Sequence, residues 1–183
     1  MSEGLFVQHG SPTLAGLKAG SMFPCSYDTT EELITYVQQS NRALNPKGIR
    51  VVILRWGNGR ALLYVFRPRA IKKILQDPRA VSLLRKRGYR HMQVDSCIRR
   101  LSHRIQQGGE FPHEVGLFLD YPPEDVEGFI ENRASNQKCV GCWKVYGDEA
   151  AARKKFAMYK KCTRVYCSQW EQGKSIERLT VAG

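Results

Sequence analysis

No apolar run in this 183-residue chain approaches the roughly 20 residues of a membrane helix; the longest, such as Val51-Val52-Ile53-Leu54, are strand-sized. The first residues, Met1-Ser2-Glu3-Gly4, carry neither the charged nor the apolar segment of a secretory leader, so a cytoplasmic location is the expectation. A Gly-rich dinucleotide fingerprint, a phosphate loop, a nucleophile elbow and a zinc-protease helix are all absent, and no enzyme class can be assigned from those motifs. There is no internal repeat and no low-complexity tract. Acids are scarce in the middle: Arg42 to Arg104 holds 17 Lys and Arg against only Asp77 and Asp95. From Glu110 to Glu131 the balance inverts, with seven acids and no Lys or Arg, and Arg133 to Arg178 is basic again. A net charge of +12 distributed this way points to an anionic partner, provided that the charges share a face.

An apolar content of 42% with 25% charged residues belongs to a folded domain rather than a disordered one. The length fits one domain spanning 1–183, with enough chain to build a core without staples. The six cysteines are Cys25, Cys97, Cys139, Cys142, Cys162 and Cys167. With no export signal, free and mostly buried thiols are the default, and a metal or redox site is the alternative.

Leu5-Phe6-Val7 reads as a short strand ending at His9, followed by a helix with Ser11 at its N-cap and Pro12 in its first turn. Thr29 and Glu32 form a capping box for a helix that stops near Asn45-Pro46-Lys47-Gly48. Residues 50–56 and 60–67 predict two strands joined by Gly57-Asn58-Gly59 as an antiparallel hairpin, apolar on both faces and therefore covered on both sides. Short helices follow from Ala70, from the Asp77-Pro78 cap to Gly88, and from Asp95 through Ile105. Glu114–Leu119 reads as a fourth strand, Pro122-Pro123 as the start of an acidic helix, and Trp143–Tyr146 as a fifth strand. Asp148 caps the longest helix, which runs to about Gln172. The fold expected is α/β: a mixed sheet of about five strands with the hairpin at its centre and helices on both faces.

Three places carry chemistry. The turn His9-Gly10-Ser11-Pro12-Thr13, between a strand and a helix start, would offer free N–H groups to an anion, with Ser11, Thr13 and Lys18 beside it; an ordinary capped turn reads the same way. Cys139-x-x-Cys142 has the spacing of zinc sites and of dithiols, and one of Cys162 and Cys167, with Cys162 placed first, would be a third ligand beside a histidine. Cys162 and Cys167 point apart on one helix, since five residues turn through about 140° net. His113-Glu114 supplies a base at a strand edge, or a surface histidine. The dense Arg85–Arg90 and Arg99-Arg100 segments, with Tyr89 to stack a base, would suit nucleic acid, although no recognised module is present.

Several linked motifs run through the chain: His9-x-x-Pro12-Thr13-Leu14-Ala15-Gly16-x-Lys18, Leu44-Asn45-Pro46-Lys47-Gly48, His113-Glu114-Val115-Gly116-Leu117-Phe118-Leu119 with Tyr121-Pro122-Pro123-Glu124-Asp125-Val126, Trp143-Lys144-Val145-Tyr146-Gly147-Asp148, and Tyr159-Lys160-Lys161-Cys162. Over essentially its whole length the sequence resembles an uncharacterised family of mainly anaerobic bacteria, a domain of unknown function. The resemblance implies one full-length domain and no particular activity. It also implies a lean towards iron or redox physiology, with a flavodoxin-like or iron-related partner. The family often has cysteine after the first histidine where this chain has Gly10, which removes a thiol from that place and leaves His9. The expectation is a protein that binds a small anionic ligand or redox cofactor through His9, Ser11, Thr13, Lys18, His113 and Glu114. The alternatives are a nucleic-acid-binding module using residues 42–104 and a structural zinc or iron protein built on Cys139, Cys142 and Cys162.

Overall fold

The computed structural model describes residues 3–183; the Met1-Ser2 pair read for a leader lies outside the described residues. The elements are α1 (Gly4–Leu14), β1 (Gly20–Ser26), α2 (Thr30–Leu44), β2 (Arg50–Gly57), β3 (Arg60–Phe66), α3 (Pro68–Ile74), α4 (Pro78–Lys86), α5 (Val94–Gln106), α6 (Val115–Phe118), α7 (Pro123–Glu131), β4 (Cys139–Val140), β5 (Lys144–Val145), α8 (Glu149–Glu171) and α9 (Ile176–Leu179). The mixed α/β class and the β2–β3 hairpin are as read from the sequence, but the hairpin is not central, since β2 is an edge strand. The sheet is smaller than expected: an antiparallel three-stranded sheet in the order β1-β3-β2, with β4 and β5 as a separate two-stranded pair.

Side-chain alternation along β3 divides the core. Tyr64 and Phe66 face a cluster with α3 to α7, whereas Leu63 and Val65 face a cluster with α1 and α2. Helices therefore cover both faces of the sheet. β3 is the central strand, and β2 lies at an edge that neighbouring side chains close. Asn41 of α2 brackets Val51 with two 2.8 Å hydrogen bonds. The β2 register shifts between Ile53 and Arg55, and the carbonyl of the intervening Leu54 accepts from Ser102 Oγ at 2.9 Å and Gln106 Nε2 at 3.0 Å of α5.

Three expected elements are corrected. The strand at Leu5-Phe6-Val7 and the turn at His9–Thr13 form one helix, α1. Its buried residues Phe6, Val7, Gly10, Ser11 and Leu14 recur at helical spacing, and Pro12 sits inside the helix rather than at its start. β1 was not foreseen, because Gly20, Ser21 and Pro24 are weak strand formers; Pro24 is tolerated because β1 is an edge strand. Gly20 is required there, since a Cβ would lie 2.5 Å from Tyr64 Oη, which donates to the Phe118 carbonyl at 2.6 Å. The fourth strand expected at Glu114–Leu119 is the buried helical turn α6, a case where an all-apolar run shows no periodicity.

The capping signals at Thr29, Asp77 and Asp148 hold in the structure, whereas Ser11 caps nothing and lies inside α1. Thr29 accepts from Glu32 N, Asp77 from Arg79 N and Ala80 N, and Asp148 from Ala151 N, each at a helix start. Asp95 lies one residue inside α5, whose N-cap is Gln93. No helix among the described residues is long and apolar enough to cross a membrane.

Candidate functional site

The six residues proposed from sequence part company. Ser11 and Thr13 are fully buried and used internally: Ser11 Oγ donates to the Val7 carbonyl, and Thr13 Oγ1 shares a 2.9 Å hydrogen bond with Ser21 Oγ. The Thr13 carbonyl accepts from buried Arg67, whose guanidinium also binds the Leu14 and Val181 carbonyls. Within a helix these residues offer no free N–H groups, so the anion-binding turn does not exist. His9 is exposed on α1 and stacks on Phe23, on the α1–α2 side of the sheet. Glu114 is only 1% exposed and meets Arg104 Nε at 2.6 Å and Tyr89 Oη at 3.1 Å. It is a buried anchor. Tyr89 is itself buried and cannot stack a base.

His113 and Lys18 remain, and both border Tyr121. Lys18 lies over the Tyr121 and Tyr159 rings, 5.5 and 5.9 Å from their centroids. Burial pushes its pKa down, opposed by Cys142 and then Asp120. Asp120, in turn, is raised by its own burial while accepting from Ala19 N at 3.1 Å. Tyr121 also lines a cavity of about 260 Å³ that opens between the α6–α7 corner and the β4–β5 hairpin. Its aromatic walls are Tyr121, Phe129 and Trp143, its polar groups include His113 and Lys144, and Val140 and Gly141 close the hairpin side.

Each wall is held by a specific contact. The carboxylate of Asp125, 3% exposed, accepts from Trp143 Nε1 through one oxygen and from Tyr146 N and Gly147 N through the other, all at 2.7 Å. Trp143 stacks on Tyr121 and meets Phe156 edge-on at 4.5 Å. Gly141 has no room for a side chain, since a Cβ would lie 2.3 Å from the Phe156 ring. The His113 ring is edge-on to Phe129 at 4.8 Å, and its Nε2 lies 2.9 Å from exposed Glu110. Lys144 Nζ donates to the Ala134 carbonyl at 2.6 Å, 5.9 Å from the Phe129 centroid. The site thus presents three rings, two groups able to carry positive charge and the Asp125 carboxylate, which three N–H donors already engage.

The sequence reading missed Tyr121, Phe129, Trp143 and Lys144 as site residues. The available signal was the Tyr121-Pro122-Pro123 and Trp143-Lys144 motifs, which were read only as marks of resemblance.

The cysteine site is not assembled. All six thiols are free. Cys139 is half-buried against the Trp143 cluster, Cys142 is exposed at the hairpin turn, and Cys162 is buried on α8. Among the described residues no three His, Cys, Asp or Glu side chains are grouped to hold a metal ion, so Cys162 does not complete a set with the hairpin pair. Burial raises the Cys142 thiol and pushes Cys162 up to about 11, which favours thiol over the thiolate a metal needs.

The fold and site define an α/β protein with an aromatic pocket beneath a small β-hairpin. The chain belongs to the family described as protein of unknown function (DUF3793), whose model matches residues 6–180. Neither curated proteins nor solved structures gave a match.

Proposed function

We propose that this protein binds a small, flat, anionic molecule in the cavity between α6–α7 and the β4–β5 hairpin. The observation that carries this reading is the convergence of Tyr121, Phe129 and Trp143 with His113 and Lys144 on one cavity. Ligand pockets are mainly apolar with a few placed polar groups, and typically span about 300–1,000 Å³. At about 260 Å³ this one suits one or two fused rings, with any longer tail outside. The rings offer stacking faces, Lys144 offers countercharge and the His113 ring a hydrogen bond to a carboxylate, sulfonate or phosphate. The ring portion of a redox cofactor of one or two rings falls in this class.

The reading is tested with two fluorescent probes of two-ring core: anilinonaphthalene sulfonate, an aromatic sulfonate, and pterin-6-carboxylate, a flat bicyclic carboxylate. Lys144→Met combined with His113→Asn should weaken the binding of both while leaving a neutral naphthalene probe bound. Equal loss of anionic and neutral probes would show that charge takes no part. Absence of saturable binding by any probe would reject the pocket.

A further inference from the structure

The basic segment 42–104 acquires a shape in the fold. Both of its acids are occupied: Asp77 caps α4, and Asp95 holds Arg50 at 2.6 Å. Arg79 pairs with Glu127, Arg104 with Glu114, and Arg67 is buried on carbonyls. Among the described residues, Arg55, Arg60, Arg85, Arg87, Arg90 and Arg99 are exposed and have no carboxylate within ion-pair distance.

α5 sits between two groups of these residues. It runs alongside β2, from the Asp95–Arg50 contact to the Ser102 and Gln106 contacts with Leu54. On its other flank, Arg104 Nη1 reaches the Arg87 carbonyl at 3.4 Å, and Arg100 lies against Gly88. There a recess of about 350 Å³ is lined by Arg90, His91, Ser96 and Arg100, and Arg100 Nε is buried with no hydrogen-bond partner among the described residues. At the far end of β2 a second recess of about 420 Å³ is lined by Pro24, Arg55, Trp56, Asn58, Arg60 and Leu62. Trp56 is 53% exposed, an indole left in water between arginines.

We propose that Trp56 stacks a base of single-stranded nucleic acid at the end of the β2–β3 hairpin, where Arg55 and Arg60 of the same recess meet its phosphates. Arginine charge beside an accessible ring is the combination that holds single strands without sequence preference. A duplex hides the faces of its bases and would gain only from the charge. A membrane-inserting patch needs several apolar side chains together, whereas the sequence neighbours of Trp56 are Arg55, Gly57, Asn58 and Arg60.

The test is fluorescence anisotropy of a labelled oligodeoxythymidylate bound to the full chain and to Trp56→Ala, with inorganic polyphosphate as competitor and phosphatidylserine vesicles as a separate arm. Trp56 is exposed, and unchanged circular dichroism confirms that the variant folds. The expected result is a loss of roughly fivefold to a hundredfold in oligonucleotide affinity for Trp56→Ala, with polyphosphate binding unchanged. Arg55→Gln with Arg60→Gln should weaken both. Oligonucleotide binding that is absent or indifferent to Trp56 overturns the proposal, as does an equal loss for polyphosphate. Trp56-dependent binding confined to vesicles overturns it in favour of a lipid surface.

Discussion

The Tyr121 ring lies stacked on the Trp143 indole, with centroids 4.8 Å apart and planes inclined by 26°. This contact joins the α6–α7 corner to the β4–β5 hairpin, and Tyr121 Oη adds a 3.2 Å hydrogen bond to the Cys142 carbonyl. The pocket and Lys18 both depend on where that ring is held.

Asp125 fixes the Trp143 side of the contact. Asp125→Ala strands three donors, the Trp143 indole N–H and the backbone N–H groups of Tyr146 and Gly147. At 1–3 kcal/mol for each unsatisfied buried group, partly relieved by water, the cost should be about 3–5 kcal/mol. Urea unfolding checks this, and a loss below about 1 kcal/mol would mean that water replaces the carboxylate freely.

Glu114 should behave as an anchor and not as a base. Glu114→Ala leaves Arg104 and the Tyr89 hydroxyl without their partner, so a loss of about 3 kcal/mol is expected. Probe affinity at the pocket, measured where the variant is folded, should stay within twofold or so of the parent, roughly 0.4 kcal/mol. A stable variant that no longer binds would restore Glu114 to the site.

Asp120 gives a pH signature. Its raised folded pKa means that the folded state takes up a proton more readily than the unfolded one, whose value is near 3.8. Its contribution to stability therefore grows as pH falls from above the raised value towards 3.8. Asp120→Asn keeps an acceptor for Ala19 N–H and tolerates the left-handed backbone, φ 63. Between about pH 7 and about pH 4 the parent should gain stability relative to the variant. A change of opposite sign would show that Lys18 and Lys155 outweigh burial.

Among the six cysteines, Cys142 should be modified first by a maleimide pulse read by mass spectrometry, since it is exposed while Cys25, Cys97 and Cys162 are buried. Its rate should rise with pH as the reactive thiolate fraction grows. Equal early labelling of Cys25 or Cys97 would contradict the packing described.

The parts of the fold legible in the sequence were those with local causes. Thr29, Asp77 and Asp148 announce their helices through a side chain and a backbone N–H two or three residues on, and Gly57-Asn58-Gly59 announces its hairpin. α1 and β1 depend on packing at long range: a Ser-Pro pair serves a helix start or a helix interior, and only the sheet order makes Pro24 acceptable in a strand. The site followed the same division. His113 and Lys18 stand out by chemistry, while Phe129 and Trp143 carry no such mark, because the cavity between them exists only when α7 meets the β4–β5 hairpin.

The pocket is tested most directly by the indole N–H signals of Trp56, Trp143 and Trp170 in a nitrogen-labelled sample titrated with anilinonaphthalene sulfonate. Three indoles report three separate places on the molecule. The account predicts a saturable shift of the Trp143 signal, with those of Trp56 and Trp170 unmoved. A shift of Trp56 alone would place the anion in the basic recess at the end of β2, and an unmoved Trp143 signal at saturating probe would contradict the pocket.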